Sequence, residues 1–221
     1  MSGFLLVLSS PSGGGKTTIA RRLLATRSDL GYSVSATTRP PRPGEEAGKA
    51  YYFLSREEFE RRIANGEFLE WATYAGELYG TLWSEVDRIV ASGRHAVLDI
   101  ELQGARQLRE QYENSVFVFV LPPSVDALVE RLTARNTDGP EQLRTRLRQA
   151  ATEIAAAGEY DYVVVNDNLD RAVAEVNAII EAEAKRSIRH PELDARLARL
   201  SAEVAAAAEA VGRPAGSSTR G

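Results

Sequence analysis

Phe4-Leu5-Leu6-Val7-Leu8-Ser9-Ser10-Pro11-Ser12-Gly13-Gly14-Gly15-Lys16-Thr17-Thr18 opens the chain and decides how the rest is read. An apolar run leads into three glycines, a lysine, two threonines and then a helix-forming segment. Strand, glycine-rich loop and helix in that order make a phosphate-binding P-loop. The glycines let backbone N–H groups turn inward around an anion, and the helix that starts near Gly15 aims its positive end at the same point. Residues Ser10, Pro11, Ser12, Gly13, Gly14, Gly15, Lys16, Thr17 and Thr18 are therefore expected to hold a nucleoside triphosphate. Lys16 reaches the outer phosphates and Thr17 offers its hydroxyl to Mg²⁺. Ser10 stands where the G-x-x-x-x-G-K-[ST] pattern has glycine. Pro11 disfavours a helical conformation for the residue before it, so an extended entry through serine is compatible with the loop.

Other apolar runs follow at Ala96–Ile100, Val116–Leu121 and Tyr162–Val165, each too short for a helix and none alternating with polar residues. Strands buried on both faces read this way. Helical patterns lie between them, at Thr17–Thr26, Ala105–Gln111, Val125–Ala134 and Glu141–Ala157. The expected class is α/β, a doubly wound parallel sheet. Residues 32–94 break the rhythm with a Pro/Gly/Arg stretch and strand-like pieces at Tyr51–Leu54, Phe68–Tyr74 and Glu77–Gly80. A single helix is expected among them, started by a capping box at Ser55 and Glu58 and stopped by Gly66. The expected division is a core of 1–31, 95–125 and 158–190, a β-rich insertion at 32–94 and a helical lid at 126–157. A closing helix spans Leu169–Lys185, and 191–221 is a tail, helical and then frayed.

The 221 residues carry a net charge of −4, with 43% hydrophobic residues and no cysteine. Disulfides and thiolate chemistry are excluded, and no overall field favours nucleic acid. The five-residue apolar run at the start is a strand rather than a leader or a membrane span, so a cytoplasmic protein without membrane attachment is expected.

A P-loop needs an acidic residue at the end of a neighbouring strand to handle the metal. Asp99 meets that need, because an unpartnered carboxylate in so apolar a strand would cost several kcal/mol. Glu101, two residues on, faces the same way. An acceptor also needs a site. Arg39 and Arg42 sit on a proline-stiffened loop with Glu45, Tyr51 and Tyr79 nearby in sequence, a set suited to a phosphate because guanidinium forks match its oxygens.

The segments Ser33-Val34-Ser35-Ala36-Thr37-Thr38-Arg39-Pro40-Pro41-Arg42-Pro43-Gly44-Glu45, Gly66-Glu67-Phe68-Leu69-Glu70-Trp71, Tyr79-Gly80-Thr81, Leu98-Asp99-Ile100-Glu101-Leu102-Gln103-Gly104 and Val165-Asn166-Asp167 closely resemble the signature of guanylate kinases. The similarity runs in order from about residue 3 to 186. The resemblance implies transfer of a phosphoryl group from ATP to GMP, and more weakly to dGMP, with Mg²⁺. It assigns guanine contacts to Ser35, Glu70 and Thr81 and the GMP phosphate to Arg39, Arg42, Tyr51 and Tyr79, supported by Glu45. Asp99 and Glu101 border that site, and Thr17 and Asp99 are the metal residues. Lid arginines Arg135 and Arg146 reach the transferring group, and Asn166 falls in the ATP site. The implied catalytic set is Lys16, Arg39, Arg135 and Arg146. Thr81 stands where relatives often have serine, Glu101 where they have aspartate, and Asn136 where they often have glycine; none of these removes a catalytic group. Two other readings stay open: a related kinase with a different small phosphate acceptor, and a non-catalytic interaction module built on the same fold.

Overall fold

Leu5, Val7, Leu6 and Leu8 are all fully buried, the first two under one layer of helices and the other two under another. That is why the opening strand shows no polar alternation: both faces of its sheet are covered. A computed structural model gives the structure of residues 3–74, 76–134 and 139–211.

Strands β1 (Leu5–Ser9), β2 (Leu30–Tyr32), β7 (His95–Asp99), β8 (Ser115–Leu121) and β9 (Tyr162–Val165) form one sheet in the order β2-β7-β1-β8-β9. Every pairing in it is parallel. Helices α1 (Lys16–Thr26) and α7 (Leu169–Ala184) cover one face through Ile19, Leu23, Val176 and Ile180. Helices α3 (Trp83–Ala91) and α4 (Leu102–Gln111) cover the other through Val86, Ile89, Ala105 and Leu108. The expected α/β class, with a doubly wound parallel sheet, is the observed one. The register sets Leu8 beside Asp99, so the carboxylate arrives where β1 gives way to the glycine loop.

A second, four-stranded sheet lies within residues 36–82. It comprises β3 (Ala36–Thr37), β4 (Tyr52–Phe53), β5 (Phe68–Tyr74) and β6 (Glu77–Leu82), in the order β4-β3-β6-β5. Its core is Ala36, Phe59, Phe68, Leu78 and Leu82. Phe59 comes from α2 (Arg56–Ala64), whose Ser55 hydroxyl accepts from the Glu58 N–H at 3.1 Å. The expected reciprocal capping box is half made. The Glu58 carboxylate turns instead to Arg62, at 2.7 Å, and to Arg61. Gly66, at φ +68°, follows the helix end as expected.

Two elements depart from the sequence reading. The insertion holds two helices rather than one, because β6 runs directly into α3 with no glycine or proline between them to mark the change. The edge strand β2 is three residues long and contains Gly31, too little apolar pattern to stand out. Beyond α7, a short 3₁₀ turn at Ser187–Arg189 precedes α8 (Leu193–Val211), the helix foreseen in the tail. The helices α5 (Val125–Thr133) and α6 (Pro140–Ala155) pack on each other through Leu128, Leu132, Leu143, Leu147 and Ala150.

Candidate active site

The glycine loop closes on itself and is then pinned from behind. Gly13 and Gly15 take left-handed backbone conformations, φ +87° and +99°, which only glycine adopts without strain. The Gly14 N–H donates to the Pro11 carbonyl at 2.8 Å. Ser10 is buried with its hydroxyl donating to the same carbonyl at 3.0 Å, and a side chain at Gly14 would collide with it. Asn166, buried just beyond β9, donates through Nδ2 to the Gly14 carbonyl at 2.9 Å. Arg131 of α5 bridges the Asn166 carbonyl, at 2.9 Å, and the Gly14 carbonyl, at 3.3 Å. From α6, Arg146 donates to the Ser12 hydroxyl at 2.8 Å, and the Glu153 carboxylate accepts the Ser12 N–H at 3.3 Å.

Lys16 opens α1 with its ammonium 2.7 Å from Glu101 and 3.4 Å from Asp99. Burial by itself lowers a lysine pKa, but the two carboxylates outweigh it and hold Lys16 above the usual lysine range. The Thr17 hydroxyl donates to Asp99 Oδ2 at 2.6 Å. The donors Thr17 and Asp99 are hard oxygens of the kind Mg²⁺ takes while keeping several of its waters. Among the described residues no cluster of three or more acidic, histidine or cysteine side chains forms a ready-made metal cage. A site completed by waters and phosphate oxygens therefore suits this pair.

The charge of Asp99 also reaches two tyrosines, one on β2 and one just before β4. The Tyr32 and Tyr51 hydroxyls are raised above the usual tyrosine range by burial and then by the charge of Asp99. Arg39 pairs with Glu45 at 2.9 Å and lies 5.3 Å from the Tyr51 ring centroid. Its bond to Glu45, with a further one to the Tyr79 hydroxyl, holds it above the usual arginine range. Conversely, Arg39 and then the Arg42 backbone N–H, donating at 2.8 Å, hold Glu45 below the usual carboxylate range. The Arg42 side chain is exposed. Ser35 immediately precedes β3 and is half-buried.

Glu70 is the most unusual group of the pocket. It is 4% exposed and accepts the Thr81 hydroxyl at 2.6 Å. Burial pushes its pKa up to about 7; the bonds to Thr81 oppose the shift and the charge of Glu101 adds to it. The carboxylate rests against the first turn of α4, where Gly104 makes room: a Cβ there would lie 2.2 Å from Glu70 Oε2. Among the described residues no cation pairs with Glu70, so when ionised it presents buried acceptor oxygens.

The P-loop residues, Asp99, Glu101 and Asn166 thus converge on one end of the parallel sheet. Arg39, Glu45, Tyr51 and Tyr79 cluster on the second sheet, and Glu70 pairs with Thr81 across its β5–β6 strands. Arg135 lies outside the described residues. Arg131, Tyr32 and Glu153 are not among the residues the sequence singled out. Tyr32 sits in a glycine-bearing edge strand, and Glu153 looks like any solvent-facing helix acid until α6 is folded onto the loop. Burial, and then the charge of Glu101, raise the Glu153 pKa. His95 is structural, its Nδ1 accepting the Phe4 N–H at 3.2 Å.

The profile of the family described as Guanylate kinase matches residues 2–183. A guanylate kinase of Symbiobacterium thermophilum is 53% identical over 188 residues, 85% of this chain and 89% of that protein. One from Chelativorans sp. is 50% identical over 91% of this chain and 93% of its own length. Among solved structures, the guanylate kinase of Anaplasma phagocytophilum superposes with a TM-score of 0.70 at 38% identity, covering 85% of this chain and 89% of that one.

Proposed function

Since the chain belongs to the guanylate kinase family, we propose that it transfers the terminal phosphoryl group of ATP to GMP, giving ADP and GDP. The observation that carries the acceptor assignment is Glu70: buried, bonded by the Thr81 hydroxyl, and paired with no cation among the described residues. Guanine offers N1–H and the N2 amino group as adjacent donors on one edge, and an ionised carboxylate can accept both. Adenine has no donor at either position and would leave a buried carboxylate unpaired, a mismatch that sites of this kind reject by about 10⁴-fold or more.

The acceptor phosphate lies with Arg39, Arg42, Tyr51 and Tyr79, and Glu45 keeps Arg39 aimed. No protein general base is needed, because the attacking group is already a phosphate oxyanion. Catalysis is positioning and charge neutralisation. The P-loop N–H groups hold the donor phosphates, and Lys16 exchanges Glu101 for them. Arg146 and Arg135 approach the transferring group from the lid, and Asn166 stiffens the loop within the ATP site. Thr17 and Asp99 would hold Mg²⁺, which would supply neutralisation of phosphate charge. The insertion at 32–94 and the lid at 126–157 close over the substrates and exclude water, which would otherwise consume ATP. None of the described helices is long and apolar enough to cross a membrane, and a nucleotide-recycling role places the protein in the cytoplasm.

Coupled measurement of ADP release tests the assignment. Turnover is expected with ATP and GMP, weaker turnover with dGMP, and none above background with AMP, UMP or dTMP. Equal rates with AMP would overturn the guanine assignment, and absence of any GMP-dependent turnover would favour a non-catalytic interaction module.

A further inference from the structure

The last described helix leaves the body of the protein. Arg189, 3% exposed, pins its base: the guanidinium pairs with Glu183 at 2.8 Å and lies 4.4 Å from the Phe4 ring centroid. From that anchor α8 runs for 19 residues, about 28 Å, without one buried residue. It lies wholly beyond the segment matched by the family profile. Helices in proteins draw most of their stability from packing an amphipathic face rather than from propensity.

Such a face is present. Ile188, Leu197, Leu200, Val204 and Val211 make up five of the nine large apolar side chains exposed among the described residues, with exposures of 53–88%. Leu193, Leu197, Leu200, Val204, Ala207 and Val211 are spaced by four, three, four, three and four residues. Steps that alternate between four and three residues place two apolar side chains in every heptad, the narrow stripe of a coiled-coil seam. The charges beside the seam choose the orientation. In an antiparallel pair that layers Leu197 on the partner's Leu200, Leu193 meets the partner's Val204. Arg196 then falls beside the partner's Glu203, and Glu203 beside the partner's Arg196. A parallel pair would set Arg196 against the partner's Ser201 and Glu203 against the partner's Ala208, with no charge pairing. A lipid surface is disfavoured, since the helix carries two arginines against the three acids Asp194, Glu203 and Glu209.

We propose that α8 is a homodimerisation element: the Leu193–Val204 seam pairs antiparallel with the same seam of a second copy, and two symmetry-related Arg196–Glu203 pairs run along one flank of it. The interface is isologous and closes as a dimer, as two-fold symmetry requires. It places no contact in the nucleotide sites.

Sedimentation velocity of the full chain between about 1 and 100 µM reads the assembly. Wild type is expected to move from 24.1 kDa towards twice that mass as concentration rises. Leu197→Asp with Leu200→Asp should stay monomeric, with its rate of GMP phosphorylation unchanged. Arg196→Glu should weaken the dimer about tenfold by setting glutamate against glutamate in both symmetry-related pairs, and adding Glu203→Arg should restore it. A wild type that remains monomeric at the highest concentration overturns the proposal, as does a dimer indifferent to the leucine substitutions. A charge-swapped double variant no better than Arg196→Glu overturns the antiparallel pairing.

Discussion

The two halves of the nucleotide site are assembled on different scales. The glycine loop is a few residues long, yet what holds it comes from far along the chain: Asn166 lies 152 residues from Gly14, Glu153 lies 141 from Ser12 and Arg146 lies 134 from Ser12. The acceptor pocket is bound locally, with Thr81 11 residues from Glu70 and Arg39 six from Glu45. A loop that binds through its own N–H groups cannot stiffen itself, so the folded core must do it. A pocket that binds through side chains on its own small sheet carries its geometry with it. Glu70 also rests on Gly104 of the core helix α4, which ties that side of the sheet to the core.

Substitutions that touch one half should leave the other measurably intact. The largest effect is expected for Lys16→Ala, which removes the cation over the transferring phosphates: kcat should fall by about 10²–10³-fold while the KM for GMP changes little. Next comes Glu70→Gln, whose amide offers one acceptor and one clashing donor to the guanine edge. The KM for GMP should rise about 10²-fold, two to three kcal/mol, with that for ATP unchanged. Gly104→Ala should do the same less severely, by about tenfold, because its Cβ meets Glu70 Oε2 at 2.2 Å and either helix or carboxylate must shift.

A pH series sharpens the acceptor side further. With the Glu70 pKa raised from 4.5 to about 7, the free protein holds a proton that the unfolded chain releases. Its contribution to stability is therefore complete below about 4.5 and is lost as pH rises through about 7. GMP recognition runs the opposite way, since only the ionised carboxylate can accept both guanine donors. Taking the pH from 8 to 6 should weaken GMP binding by about tenfold. Glu70→Gln should lose that part of the dependence and keep only the part owed to the GMP phosphate. The smallest effect falls on the loop: Asn166→Ala leaves the Gly14 carbonyl short of a donor while Arg131 still reaches it. The KM for ATP should rise about fivefold, with GMP kinetics unmoved.

Most of the donor half could be read in advance, because glycine conformation, a lysine at the helix start and a carboxylate at a strand end are local requirements written at fixed spacing. The parallel sheet was legible for the same kind of reason, each strand being an unbroken apolar run. What escaped notice did so on physical grounds. The second insertion helix, α3, begins without a breaker, and β2 carries a glycine. Arg131, Glu153 and Tyr32 acquire their meaning only from what the folded chain sets beside them. The seam of α8 was also present in the sequence, but its apolar residues looked like those of any packed helix until the fold left them uncovered.

By itself the sequence determined the class of fold, the phosphate loop and the polar groups available to read a base and hold a phosphate. These follow from backbone freedom, hydrophobic period and functional-group chemistry, which act over a few residues. The tertiary structure alone decided that Glu70 sits against Gly104 with its pKa near neutrality, and that Asp99 lies among Lys16, Thr17, Tyr32 and Tyr51 together. Desolvation and Coulomb interaction depend on what surrounds a charge, and those surroundings come from segments the chain brings together only when it folds.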